Sequence, residues 1–176
     1  MDQLRKRFDQ LTWPEARNAA SRPGATVIWP FGACEQHGPH LPLSTDAVFA
    51  ESILDSVLLG LDPALPLWRL PCQALGFSPE HKNFSGTLSL SAPLILELVD
   101  QVGMQLAAMG MQRLVLFNAH GGQIGLLQVA ARQLRPAARR WLFFHASFGV
   151  VWKGWLICFQ KRSCSMACMP AKPKPA

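Results

Sequence analysis

Between Glu35 and Asp46 the chain carries two carboxylates and two imidazoles within twelve residues, Glu35-Gln36-His37-Gly38-Pro39-His40-Leu41-Pro42-Leu43-Ser44-Thr45-Asp46. Carboxylate oxygen and imidazole nitrogen together suit Zn, Mn or Fe. Glu35, His37 and Asp46 are the candidates to hold such an ion, with His40 to spare. Asp46 also has a plainer reading, as the cap of a helix beginning at Ala47. That reading leaves Glu35 and His37 in the same loop without a role. A second stretch, Asn118-Ala119-His120-Gly121-Gly122-Gln123, adds an imidazole beside two glycines that permit close approach of backbone to a ligand. A lone His is usually structural, and glycines at a turn often serve packing. Two independent loops converging on one place reverse that balance. In a third stretch, Gly76-Phe77-Ser78-Pro79-Glu80-His81, Glu80 and His81 either orient a substrate and support the metal ligands or belong to a solvated polar loop.

These loops need elements to hold them. Thr26 to Pro30 is a β-branched and aromatic run of strand length, and Leu67 to Cys72 is a second short one. Leu114 to Phe117 is continuously apolar, as in a strand buried on both faces, and Trp141 to Phe144 is a fourth. Between them lie helical patterns: an amphipathic segment over 2–20 with Trp13-Pro14 at a break, then 47–59, 92–109 and 122–134. Ser91 and Pro93 open the third and Gly110 ends it. Strands alternating with helices predict an α/β fold, layered α/β/α around a mostly parallel sheet. Ligands of such sheets bind beyond the carboxyl ends of the strands. Both Gly32–Thr45 and Asn118–Gly122 fall there.

The chain has 176 residues, 49% of them hydrophobic and only 16% charged, enough to bury a core and too apolar to be disordered. Its formal charge of +6 is unevenly placed. All eleven acids lie at or before Asp100, and Lys153, Lys161, Arg162, Lys172 and Lys174 crowd the last stretch. Without those five the balance is 12 cations against 11 acids, so the body offers no basic face for nucleic acid. The N-terminus lacks the apolar core of a signal peptide, and no run reaches the length of a membrane span. The expectation is a cytoplasmic protein with no membrane partner. Cys34 and Cys72 then read as reduced thiols, while Cys158, Cys164 and Cys168 sit in the tail without metal-site partners.

Three motifs in order, E-Q-H-G-P-H-L-P-L-S-T-D, G-F-S-P-E-H-x-N-F-S-G-T-L-S-L and N-A-H-G-G-Q, resemble the creatininase (creatinine amidohydrolase) family from about Val27 to His145. The resemblance implies a metal-dependent amide hydrolase on a layered α/β fold, commonly oligomeric, with two divalent ions. It implies that Glu35, Asp46 and His120 bind one ion, and that His37 binds the second with Asp46 bridging. The chain departs from the pattern at Ala119, usually Gly, and at Gln123, usually Asn. Creatinine-specific members have Glu where Gly122 stands here, which argues against creatinine as substrate. Members with His-Gly-Gly take the second-ion carboxylate from a later H-A-G-E-x-E-T-S motif, and no acid follows Asp100 here.

The genetic code bears on that absence. Read from the third base of the Cys168 codon, the codons of Cys168 to Ala176 permit His-Ala-Gly-Glu-(Ala/Thr)-Glu-Thr-Ser, the missing motif in order. The expectation is a hydrolase domain over residues 1–150 and an out-of-frame basic tail over 151–176, with the frame lost between about His145 and Ser163. The competing view is a genuine basic tail for an anionic partner.

The chemistry implied is hydrolysis of a C–N amide bond, open or cyclic, of a small molecule. Two ions about 3.5–4 Å apart would hold a hydroxide and polarise the carbonyl. His40, His81 or Glu80 would move the proton to the leaving nitrogen, and the backbone N–H groups of Gly121 and Gly122 would steady developing charge. Three alternatives remain: an inactive fragment lacking the second-ion carboxylate, a non-catalytic basic module, and an unrelated zinc hydrolase with one ion.

Overall fold

A computed structural model describes residues 6–134 and the backbone of strand 140–145. The chain divides into Met1–Ala146 and Ser147–Ala176, and everything described belongs to the first unit. The expected tail, with Cys158, Cys164 and Cys168, lies outside the described residues, as does the start of the expected N-terminal helix.

Four parallel strands, β1 (Thr26–Phe31), β2 (Leu67–Arg69), β3 (Arg113–Asn118) and β4 (Arg140–His145), form one sheet in the order β2-β1-β3-β4. The helices are α1 (Trp13–Ser21), α2 (Thr45–Leu59), α3 (Ala92–Met109) and α4 (Ile124–Gln133). Every residue of β1 is buried, as befits a central strand with both faces covered. Val27, Trp29 and Phe31 of β1 join Leu114 and Leu116 of β3 in a core shared with Ala19 and Ala20 of α1, Ile95 and Val99 of α3, and Leu127 of α4. Strand side chains alternate between faces, so Ile28 and Val115 serve the other face. There α2 packs against β1, burying Ala47, Ala50, Leu54 and Val57. The result is the expected three-layer α/β/α arrangement.

Pro30 sits in a central strand, where a missing N–H normally breaks a ladder. Thr26 N–H and Gly32 N–H donate to Pro66 and Gln73 on the β2 side. Pro30 faces the same way, in the gap between the Ile28–Arg69 pair and the isolated Phe31–Gln73 bridge, so no ladder bond is lost. The same divergence, at Pro71, stops β2 at Arg69 instead of the predicted Cys72. The expected break at Trp13-Pro14 is instead a helix start. Thr12 is the cap, Glu15 reaches back to its N–H at 2.8 Å, and the proline falls in the first turn, where no donor is needed. The predicted helix 122–134 opens as a short 3-10 turn, Gly121–Gln123, before α4.

β1 connects to β2 on one side and the chain returns to β3 on the other. The carboxyl ends of β1 and β3 therefore form the switch point of the sheet, where loops diverge and leave a crevice.

Candidate metal centre

Three segments meet at that switch point: the loop after β1, the loop after β3 and the loop between β2 and α3. The first carries Glu35 and His37 and runs into α2. Asp46 lies in the first turn of α2, which starts at Thr45, two residues before the expected Ala47, with Ser44 as the cap residue. There the helix dipole favours its negative charge. Its carboxylate does not cap the helix. Oδ1 lies 3.1 Å from His37 Nε2 and Oδ2 lies 2.9 Å from His120 Nδ1.

His120, 3% exposed, follows β3 directly. Its Nε2 lies 2.9 Å from the Phe77 carbonyl and 3.2 Å from Ser78 Oγ. A carbonyl only accepts, so Nε2 carries a proton and Nδ1 is the nitrogen available to a cation. Nδ1 faces Asp46 Oδ2 and, at 3.3 Å, Glu35 Oε1. Burial works to lower the His120 pKa. The hydrogen bond to Asp46, the bond to the Phe77 carbonyl and the charges of Glu35 and Asp46 outweigh it and raise the pKa. Nδ1 thus points into the place between two carboxylates that a cation would take.

Ligand atoms of Glu35, Asp46 and His120 all lie within 4.8 Å of one another. Glu35 is 6% exposed, and its Oε2 is buried with no hydrogen-bond partner. An unpartnered carboxylate oxygen inside a protein is costly unless a cation completes it. Two carboxylates, one correctly oriented imidazole nitrogen and this orphan oxygen fit a divalent ion. His37 stands beside them, its Nδ1 held 3.1 Å from its neighbour Glu35's carbonyl and its Nε2 3.9 Å from Glu35 Oε1.

The structure thus gathers Glu35, His37, Asp46 and His120. It also brings Glu80 and His81 to Glu35, with ligand atoms again within 4.8 Å. His40 stays on the exposed part of the first loop. The two glycines differ: a Cβ on Gly121 would meet nothing within 4 Å, whereas one on Gly122 would lie 2.6 Å from His120 Nε2 and 2.8 Å from both Glu80 Oε1 and the Phe77 carbonyl.

Two residues that sequence reasoning gave no part complete the frame. Ser78 is fully buried against His120, although its loop reads as polar and solvated. Gln123, also fully buried, accepts from Phe77 N–H at 3.1 Å and donates to the Gly32 carbonyl and Asn118 Oδ1, each at 3.0 Å. One side chain ties all three loops together. Its sequence signal was the departure from Asn, since an amide one methylene longer reaches farther.

Comparison with known proteins agrees with the motifs. The family model for creatininase, creatinine amidohydrolase, matches residues 9–167. The chain is 38% identical over 133 residues to a mycofactocin precursor peptide peptidase of Mycobacterium ulcerans (strain Agy99), covering 73% of this chain and 48% of that one. It is 28% identical over 137 residues to the creatinine amidohydrolase of Pseudomonas putida, covering 73% and 51%. The chain therefore spans about half the length of the curated relatives it matches. Among solved structures, a creatininase with Mn superposes with a TM-score of 0.66 at 25% identity, over 78% of this chain and 56% of that one. A creatininase variant of the Zn-Zn type gives 0.66 at 25% identity, over 80% and 58%. Motifs, fold and ligand cluster coincide with a family match that spans most of the chain, which belongs to the creatininase family.

Proposed function

We propose that the chain is the metal-binding part of a divalent-metal-dependent amidohydrolase that cleaves a C–N amide bond. The observation that carries this reading is the cluster of Glu35, Asp46 and His120 around the unpartnered Glu35 Oε2. Mn and Zn are the ions of first interest, since related structures hold them. A bound ion would supply Lewis acidity and lower the pKa of water. The remaining work falls to the chain. Phe77 and Ser78 fix the His120 tautomer and ring plane. Asp46 spans His120 and His37, so it can serve two ions, with His37 as a ligand of the second. Backbone N–H groups at Gly121 and Gly122, in the turn after His120, would steady charge on an amide oxygen. His40, His81 and Glu80 are the groups for moving a proton to the leaving nitrogen.

A small-molecule amide is the substrate class proposed, in a cytoplasmic homo-oligomer. A peptide amide is the second reading, favoured by the 38% identity to precursor peptide peptidases. The domain limits, 1–150 with an out-of-frame remainder, are proposed with it. The test is a frame-checked coding sequence, followed by assay of the Mn- and Zn-loaded protein against creatinine, other cyclic and linear amides, and short peptides. Metal-dependent release of a carboxylate from any amide supports the reading. Metal binding without turnover by a protein whose frame proves intact would leave the inactive fragment.

A further inference from the structure

Glu35 belongs to two clusters. Its Oε1 is the oxygen turned toward His120 Nδ1, at 3.3 Å, and His37 Nε2, at 3.9 Å. The orphan is Oε2. On the other side, Glu35, Glu80 and His81 offer ligand atoms that all lie within 4.8 Å of one another. Pro79 opens a 3-10 turn that sets Glu80 and His81 side by side. The loop is anchored by Ser78 N–H to Ser89 Oγ at 2.8 Å and Leu90 N–H to the Gly76 carbonyl at 2.8 Å. His81 Nδ1 lies 3.2 Å from the Gln36 amide nitrogen, which holds the ring toward the first loop.

Glu80 also explains Gly122. Its Oε1 lies 2.8 Å from where a Cβ at 122 would stand. The carboxylate of residue 80 uses the room that residue 122 leaves empty. Within this sequence every acid lies at or before Asp100, and Glu80 is the one beside Gly122.

We propose that Glu35, Glu80 and His81 form a second divalent-cation position, with Glu35 shared between it and the Glu35–Asp46–His120 position. This rests on the reading that the latter binds an ion. It differs from a second ion on His37 and Asp46, because neither residue takes part. Two carboxylates and an imidazole again suit Mn or Zn. One ring nitrogen of His81 would bind the ion, and water would fill the open side at exposed Glu80.

The experiment titrates the metal-stripped full chain with Mn²⁺ and counts bound ions from the electron paramagnetic resonance signal of the free ion. Wild type should take two. The Glu80→Gln/His81→Ala double variant should take one, and that retained ion shows that it is folded. Glu80→Gln alone should weaken the second ion by about tenfold or more. His120→Ala should lose the tighter ion only. Two ions in the double variant, or a wild-type count of one that the double variant leaves unchanged, overturns the proposal. Unchanged binding in His120→Ala would instead overturn the first position, a different and separable failure.

Discussion

Helix α2 supplies acids to two charged clusters, and they are built in opposite ways. At its first turn Asp46 faces Glu35, His37 and His120. One and two turns later Glu51 and Asp55 face Arg69 of β2, with Arg69 Nε 3.1 Å from Asp55 Oδ1 and Nη1 3.5 Å from Glu51 Oε1. In the second cluster the cation is buried and the acids are half in water: the Arg69 side chain is 7% exposed and those of Glu51 and Asp55 are 43% and 52%. In the first the acids are much less exposed, at 8% for buried Glu35 and 15% for partly buried Asp46, and the chain supplies no permanent cation among the described contacts. The guanidinium is always charged and brings its own cation to the acids, although its Nη1 is buried without a hydrogen bond. Among the described ion pairs, the carboxylate pair has only the imidazoles of His37 and His120 beside it. A cluster of buried acids whose cation must come from outside is what distinguishes a binding site from a structural ion pair.

The largest effect that separates the two clusters is on metal content. Glu35→Ala or His120→Ala should reduce the ion at the first position to background after dialysis, measured by mass spectrometry of bound metal. Arg69→Met should leave it untouched. Metal retained by both alanine variants would break the contrast, since the buried acids would then not be the reason for the ion.

The glycines after His120 give the next effect. Gly122→Ala puts a Cβ within 3 Å of a ring nitrogen, a carboxylate oxygen and a backbone carbonyl, and the carbonyl cannot step aside cheaply. Overpacking of this kind costs about 1–3 kcal/mol. Gly121→Ala meets open space and should gain up to about 1 kcal/mol from the lower entropy of the unfolded chain. Denaturant midpoints that move together for the two variants would show that the crowding at 122 is not felt.

How far the chain could be read follows the same division. The alternation of apolar runs with helical periods already implied the parallel sheet, because burial of both faces of β1 and β3 is written in side chains. Glu35, Asp46 and His120 could be named as a candidate cluster because Glu, Asp and His stand there at telling positions, and the fold brings them together. The support behind them was not. The Phe77 carbonyl that sets the His120 tautomer is backbone and has no signature in sequence. Gln123 looked like a mere departure from Asn until three loops were seen to hang on it. The pairing of Glu80 with Glu35 joins residues 45 apart in sequence, a distance that only the switch-point geometry closes. Pro71 and Pro14 show the same limit on a smaller scale. A proline marks an interruption, and only the neighbouring bonds decide whether it ends a strand, starts a helix or does neither.

The smallest effect is the sharpest, because its sign should reverse. Without metal, Glu35→Gln removes a buried negative charge whose Oε2 has no partner, leaving Asp46 to pair with His37 and His120. An uncompensated buried charge is destabilising, so the metal-free variant should be more stable than wild type by about 1 kcal/mol. With saturating Mn²⁺ the order should invert. An ion at a hundred times its dissociation constant stabilises the native state by about 2.7 kcal/mol, and the variant forfeits much of that. Arg69→Met offers the matching control. It removes a cation whose acids stay half in water, so the loss should be about 1 kcal/mol or less and the same with and without Mn²⁺. Thermal melts of the three proteins in chelator and in Mn²⁺ decide the matter. If Glu35→Gln melts below wild type in both, the carboxylate is holding the fold on its own account, and the contrast between a site awaiting a cation and one that carries its own would fail.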